Sequence, residues 1–124
     1  MATIALATES LMRSGHIWTW EALTATNTDG APADEKVGSI AFTEKTVTVT
    51  GNFGTSGECT IQGSNDGTNW FTLNDVFENL AVFTSAGIML LAENPRYIRP
   101  AITAGSGAID LDIIIAVKAN LHFR

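Results

Sequence analysis

The stretch IDLDIIIAVKANLHFR, residues 109–124, has the clearest pattern in the chain and decides the fold class. Apolar side chains occupy every second position from Ile109 to Phe123, as in a β-strand with one buried face. The opposite face is polar except for two apolar interruptions, Ile114 and Ala116. About fifteen extended residues would span about 50 Å, which exceeds an ordinary strand. We therefore expect this strand to bend, or its end to leave the domain and pair elsewhere.

The segment KTVTVTGNF, residues 45–53, alternates in the same way and predicts a second strand with its valines facing inward. The glycine-rich stretch 54–57 is expected to form a hairpin turn. Residues 58–62 would then form the return strand, with Cys59 and Ile61 facing inward. Together these segments predict a β-hairpin.

Further turn signals follow at roughly 8- to 12-residue intervals, the spacing of all-β sandwiches and barrels. The strongest is GSNDGT, residues 63–68, because Asn and Asp bond their own backbone and glycine accepts a positive φ. The stretch AGSG, residues 104–107, is a second expected turn. The remaining short strands are expected at residues 16–22, 39–42, 69–73, 80–84, 88–92 and 96–103.

No window has a helical period, so we predict an all-β fold. It is a single antiparallel β-sandwich of about eight strands, with a small β-barrel as the alternative. The domain is expected to span residues 15–118, between an extended N-terminal arm, residues 1–14, and a C-terminal tail, residues 119–124. A chain of 124 residues and 13.2 kDa has room for one such domain, and its core needs no covalent staples.

The composition argues against two classes of partner. The net charge is −6 and the isoelectric point is about 4.6, with only seven Lys and Arg residues in all. A nucleic-acid groove needs many cations on one face, and an anionic membrane surface attracts a basic protein for the same reason. We therefore expect neither a nucleic acid nor a membrane as partner.

The single cysteine and the N-terminus indicate a chain that is made and folds in a reducing cytoplasm. Cys59 has no second cysteine with which to form a disulfide or a cysteine-rich zinc site, and it is expected in the core. The N-terminal residues lack the basic region and long apolar run of a signal peptide. No stretch approaches the roughly 20 apolar residues of a transmembrane helix.

Residues with catalytic or metal-binding potential occur without the surroundings that such chemistry requires. His16 and His122 lie outside any nucleophile or metal motif. Asp110 and Asp112 share one strand face about 7 Å apart, but acids on the wet face of a strand are ordinary. The turn SNDGTN, residues 64–69, lacks the spacing and the final Glu of a calcium loop. We expect no enzymatic activity, no metal and no cofactor.

Arg96 and Arg99 form the one basic cluster of the sequence, with Tyr97 between them. Paired guanidinium groups suit a carboxylate-bearing partner. The alternative is that they satisfy acids of the same domain, such as Glu93 or the strand aspartates.

Two stretches resemble a family of small tailed-bacteriophage proteins that are often encoded beside the major capsid protein. They are VTVTGNFGTSGECTIQGSNDGTNWFTL, residues 47–73, and ENPRYIRPAITAGSGAIDLDIII, residues 93–115. A tryptophan strand, here Trp18–Trp20, opens such chains, and the resemblance covers about residues 15–118. The sequence departs from the family pattern in its longer N-terminal arm and its LHFR ending.

The resemblance implies a virion structural protein, a head decoration or cement protein on the outer surface of the capsid. Its partner would be the major capsid protein, whose subunits it would bridge, and it could also bind itself. A trimer would suit a local three-fold axis, while a dimer or a monomer fits the residues equally well. The candidate contacts are the apolar ends and the basic cluster, namely Leu11, Met12, Arg96, Arg99, Leu121 and Phe123.

Two alternatives stay open at this point. One is another virion role, in the neck, the tail or a fibre. The other is a carbohydrate-binding module, because SNDGTNW also resembles a turn and strand of discoidin-type sandwiches. A sugar would then stack on Trp70, which should be accessible to solvent.

Overall fold

The computed structural model describes residues 6–12, 15–24, 37–38 and 43–118, and these residues form strands and loops without a helix. The eight strands are β1 (Leu6–Met12), β2 (Gly15–Leu23), β3 (Val37–Gly38), β4 (Glu44–Ser64), β5 (Phe71–Thr72), β6 (Val82–Phe83), β7 (Gly87–Leu90) and β8 (Tyr97–Lys118). The predicted all-β class is confirmed.

Every pairing between these strands is antiparallel, and the pairings join them into one continuous open sheet. Its main path runs β1-β2-β8-β4-β5. The short strand β3 adds to β8, while β6 and β7 add to β4. The centre of the fold is therefore the long ribbon formed by β4, of 21 residues, and β8, of 22 residues.

The two turns predicted at residues 54–57 and 104–107 are not present, so both predictions are wrong. Residues 54–57 do not reverse the chain, and neither do residues 104–107, because both stretches continue as strand within β4 and β8. The stretches lie opposite each other, with Thr55 paired to Ser106 and register shifts on either side of that pair. Bulges of this kind bend a strand and increase its twist, so the two strands bend together.

The inward faces of both halves of the ribbon contribute to a single hydrophobic core. Val47 and Ile113 come from one half, and Ile61 and Ile98 come from the other. Each is fully buried. The predicted alternation in the last strand is confirmed, since every second residue from Ile109 to Val117 is buried and each residue between them is exposed. The arrangement of the strands as two facing layers stays a prediction.

Strands near the β4 edge are shorter than expected. The predicted strand at 69–73 is reduced to β5, the one at 80–84 to β6, and the one at 88–92 begins one residue early and ends at Leu90. Part of the expected N-terminal arm, Leu6–Met12, is strand β1 and pairs with β2. The expected C-terminal tail, residues 119–124, lies outside the described residues.

Candidate contact surface

Two neighbouring rows of side chains cross the outer face of the sheet through β7, β4, β8 and β2 without a charged residue. One row is Ile88, Thr48, Ile114 and Thr19. The other row is Leu90, Thr46, Ala116 and Ile17. Within these four strands the nearest charges lie in the flanking rows, at the Glu44–Lys118 ion pair on one side and at Asp112 on the other. We name the five apolar residues of the two rows the outer apolar face.

The outer apolar face is open to solvent at its β7 end. Ile88 is 66% exposed, while Leu90 and Ile114 are also exposed and Ile17 is half-buried. The sequence pattern explains this placement, because the period of two puts these residues opposite the buried ones. Exposed apolar side chains grouped on one face of a sheet make a candidate site of interaction.

The loop at residues 74–80 extends this surface beyond β7. The Val76 backbone nitrogen donates to the Leu90 carbonyl at 3.0 Å, which places the loop directly beside the strand. Asp75 is buried, and its Oδ1 accepts from the backbone nitrogens of Phe77 at 2.8 Å and Asn79 at 2.9 Å. These hydrogen bonds hold the pKa of the Asp75 carboxyl below its usual value, so the loop is fixed by an ionised side chain.

The fixed loop presents large apolar side chains to solvent. Phe77 is 80% exposed, Leu80 is 60% exposed, and Val76 is exposed next to Leu90. Leaving a phenylalanine and a leucine in water forgoes about 2 kcal/mol of burial for each. These exposed side chains make the loop part of the candidate contact surface.

An open cleft of about 460 Å³ lies beside Phe71, between the turn at 63–69 and residues 93–95. Phe71 is 71% exposed, but the acids of the cleft already have protein donors. Both carboxylate oxygens of Glu93 accept from Asn74, at 2.7 Å each. Asp66 accepts from the backbone nitrogens and side chains of its own turn. Few polar groups of this cleft remain to orient a ligand.

The structure separates the two arginines of the basic cluster. Arg96 precedes β8 and is exposed, with its guanidinium 4.9 Å from the centre of the Tyr97 ring. Arg99 is half-buried, stacks 4.0 Å from the centre of the Trp70 ring and donates from Nε to Gln62 at 3.0 Å. Arg96 therefore remains a candidate contact, whereas Arg99 covers one face of the tryptophan proposed for sugar stacking.

The other four predicted contact residues lie in β1 or outside the described residues. Leu11 and Met12 lie in β1 at the edge of the sheet, where Met12 is paired with Gly15. Leu121 and Phe123 lie outside the described residues. Of these four residues, the structure therefore describes the backbone of Leu11 and Met12.

One of the two aspartates considered for catalysis or metal binding, Asp112, has a hydrogen-bond partner within the protein. Asp112 Oδ1 accepts from the Ala22 backbone nitrogen at 3.0 Å, where Ala22 has a φ of 55°. Within the described ranges, no three His, Cys, Asp or Glu side chains come close enough together to hold a metal ion. The same part of the chain contains no helix long and apolar enough to cross a membrane.

The sequence reasoning overlooked Lys45 and the outer apolar face beyond β8. Lys45 has the same parity as Val47 and Val49, so the period of two already places it on the inner face. The structure buries it fully, with Nζ donating to Asn94 Oδ1. Ile88 and Leu90 were missed because a short strand at a sheet edge does not reveal which of its faces is buried.

Comparison of the chain with protein-family models and with curated proteins finds no match.

Proposed function

We propose that this chain is a non-enzymatic structural protein of a virion, a decoration protein that binds the outside of a capsid. The observation that carries the proposal is the run of exposed apolar side chains along β7 and the neighbouring loop, of which Phe77 and Ile88 are the most exposed. The resemblance of residues 15–118 to small tailed-phage virion proteins supports the same role.

A cement protein needs a rigid body and adhesive surfaces more than it needs reactive groups. The outer apolar face supplies area for hydrophobic contact, and the short threonine side chains between its apolar residues allow close approach of another protein. On a repeating lattice, many copies each making modest contacts stabilise the shell collectively. We propose that the major capsid protein is the partner, that Arg96 and the acidic body orient the contact, and that the protein sits on the outer surface of the virion.

We also propose that the bent ribbon divides the sheet into two facing layers, the β-sandwich that the sequence predicts. The support is the single core cluster, to which residues from both sides of the bend contribute. In this arrangement, β4 and β8 each serve both layers, and the bulges at the bend form the corner.

A binding experiment with head shells that lack this protein tests the role. The double variant Phe77→Ser with Ile88→Thr should fold as the natural protein does, since both side chains are exposed. Its binding to the shells should fall by at least tenfold, because two apolar anchors are lost. The matched control Ser106→Ala with Ala108→Ser changes exposed residues at the bend and should bind normally.

Electron cryomicroscopy of virions from the source gives the location directly. Many copies of the domain that bridge capsomers on the outer shell would support decoration. Copies along the neck or tail axis would favour the alternative virion roles instead. Absence from the particle would reject a virion role altogether.

Glycan binding is the second candidate, and the exposed Phe71 beside the open cleft is the observation that favours it. Aromatic rings stack on sugar faces, and Phe71 is the more accessible ring because Arg99 lies over Trp70. Glycan-array binding that Phe71→Ala abolishes would support this function.

A further inference from the structure

Lys45 is a fully buried lysine near the start of β4, which is a costly place for a charge. Its backbone carbonyl accepts from the Leu91 nitrogen at 2.9 Å, so the end of β7 runs alongside. Burial lowers the pKa of Lys45 to about 8, against the opposing effect of the Glu93 charge. At pH 7 the Lys45 amine is then neutral in about a tenth of the molecules, and a neutral amine is a nucleophile.

The amide of Asn94 lies against this amine. Lys45 Nζ and Asn94 Oδ1 are 2.5 Å apart. A carbonyl carbon is about 1.2 Å from its oxygen, so the Asn94 carbonyl carbon is at most about 3.7 Å from the nitrogen. Reacting atoms held about 3 to 3.5 Å apart gain a large effective concentration, and this pair is close to that range.

Glu93 places a carboxylate next to the same pair. Its two oxygens accept from the backbone nitrogen and the side-chain amide of Asn74, which fix the carboxylate in position. Its charge acts on Lys45. Lys45 and Asn94 therefore meet where β4 passes the segment that leads into β8, within the electrostatic reach of the fixed Glu93 carboxylate.

We propose that Lys45 and Asn94 form an intramolecular isopeptide bond. The neutral Lys45 amine attacks the Asn94 carbonyl carbon, and a new C–N bond forms from Nζ. The bond from that carbon to Asn94 Nδ2 breaks, and the proton lost by Nζ passes to Nδ2, which leaves as ammonia. The Glu93 carboxylate, whose charge reaches Lys45, is the group that would relay this proton. One amide replaces another, so the bond energies nearly cancel and the escape of ammonia into water drives the reaction.

The following residue removes the usual competing reaction of asparagine. Asparagine ordinarily loses ammonia when the backbone nitrogen of the next residue attacks its side chain and closes a succinimide. Pro95 follows Asn94 and has no backbone N–H, so this route is closed. Loss of ammonia at Asn94 therefore requires another nucleophile, and Lys45 is in contact with it.

The bond would clamp the start of β4 to the segment before β8, joining residues 49 positions apart. Cross-links that close long loops restrict the unfolded chain and raise stability. The inference does not depend on the proposed function, because it concerns chemistry within one chain.

The intact mass of the purified full chain tests the proposal. The folded protein should weigh about 17 Da less than its sequence mass, the mass of one ammonia. Proteolysis should give one branched fragment in which Lys45 is joined to Asn94. Tandem mass spectrometry of that fragment identifies the two linked residues. Asn94→Ala, at an exposed position, should fold and show the full mass. Lys45→Met should also show the full mass, while the control Lys118→Met, at an exposed lysine, should keep the deficit.

Two results would overturn the proposal. One is the full sequence mass after prolonged incubation of the folded protein at pH 9, where most of the Lys45 side chain would be neutral. The other is a deficit that persists in Asn94→Ala, or that maps to a different pair of residues.

Discussion

Gly105 lies directly against Gly57 where β4 and β8 bend together, and a Cβ atom on Gly105 would stand 2.5 Å from the Gly57 Cα. Gly105 also has a φ of 110°, which side chains of L-residues rarely adopt. A Cβ on Gly57 would meet the Phe53 carbonyl oxygen at 2.0 Å. The bend of the ribbon therefore depends on two residues without side chains, one on each strand.

Gly105→Ala should lower the free energy of unfolding by about 2 kcal/mol or more, because it adds a clash with backbone to an unfavourable φ. Urea denaturation followed by circular dichroism measures the change. The control is Gly87→Ala, whose Cβ would have only ordinary contacts at 3.7 Å and beyond. Equal effects from the two substitutions would contradict the bend as described.

Ile114 and Ile115 are neighbours in β8 with opposite environments. Ile115 is fully buried, and Ile115→Ala should cost about 2 to 5 kcal/mol of stability. Ile114 is 36% exposed on the outer apolar face, and Ile114→Ala should cost about 0.5 kcal/mol. Thermal unfolding compares the two. If Ile114 serves a contact, its substitution should weaken binding to capsid shells while leaving the melting temperature nearly unchanged.

Asp66 should stabilise the protein in a pH-dependent way. Its carboxylate accepts from the Thr68 and Asn69 backbone nitrogens at 2.8 Å each, and these hydrogen bonds hold its pKa below the usual value. A depressed pKa in the folded state contributes stability above the unfolded pKa, and that stability is lost as the pH falls. Asp66→Asn should therefore lower the melting temperature at pH 7, by a margin that shrinks below about pH 4.

Asp110→Asn is the matched control for that measurement, since Asp110 is exposed on β8. It should change the melting temperature little at either pH. A margin for Asp66→Asn that stays constant down to pH 2 would show that the turn does not depend on the charge.

Cys59 should be unreactive in the folded protein. It is fully buried, and burial raises the pKa of its thiol to about 12, against the opposing hydrogen bond with the Ala101 backbone. A thiol reagent at pH 8 should label the protein rapidly in guanidinium and slowly without it. Rapid labelling of the native protein would contradict its burial.

Burial of Cys59 should also make stability depend on pH. A group whose pKa is raised in the folded state contributes stability below its unfolded pKa, so above about pH 9 ionisation of this thiol should favour unfolding.

Arg99→Ala should change the environment of Trp70 without disturbing the core. Arg99 covers the Trp70 ring at 4.0 Å, a cation–π contact of about 0.5 to 2 kcal/mol between two half-buried side chains. Its removal should shift tryptophan emission to longer wavelength, because Trp70 gains water while Trp18 and Trp20 stay buried. Arg96→Ala, whose guanidinium lies over Tyr97, should leave the emission unchanged.

Local patterns predicted the parts of the fold that depend only on local geometry. The buried positions between Ile109 and Val117 follow from alternation, because the pleat of a strand sends successive side chains to opposite faces. The turn around Asp66 follows from side chains that bond their own backbone. The prediction that the chain reverses at residues 54–57 and 104–107 was wrong, because a turn and a bulged bend require the same residue types.

The candidate surface was less visible in the sequence than the core. Ile114 and Ala116 interrupt the polar face of β8, so the sequence alone reveals them. Their neighbours across the outer face, Ile88 and Leu90, come from another strand and join them only through register with β4. Predicting that register requires knowing which strands pair.

The sequence by itself determined an all-β chain, the inward residues of its long strands and the tight turn at Asp66. Each is set by the backbone and by side chains a few positions away. Only the tertiary structure decided that residues 54–57 and 104–107 bend together, that the outer apolar face gathers residues of β7, β8 and β2, and that Lys45 meets Asn94. These features join residues distant in sequence, and contacts of that kind exist only after the strands have paired.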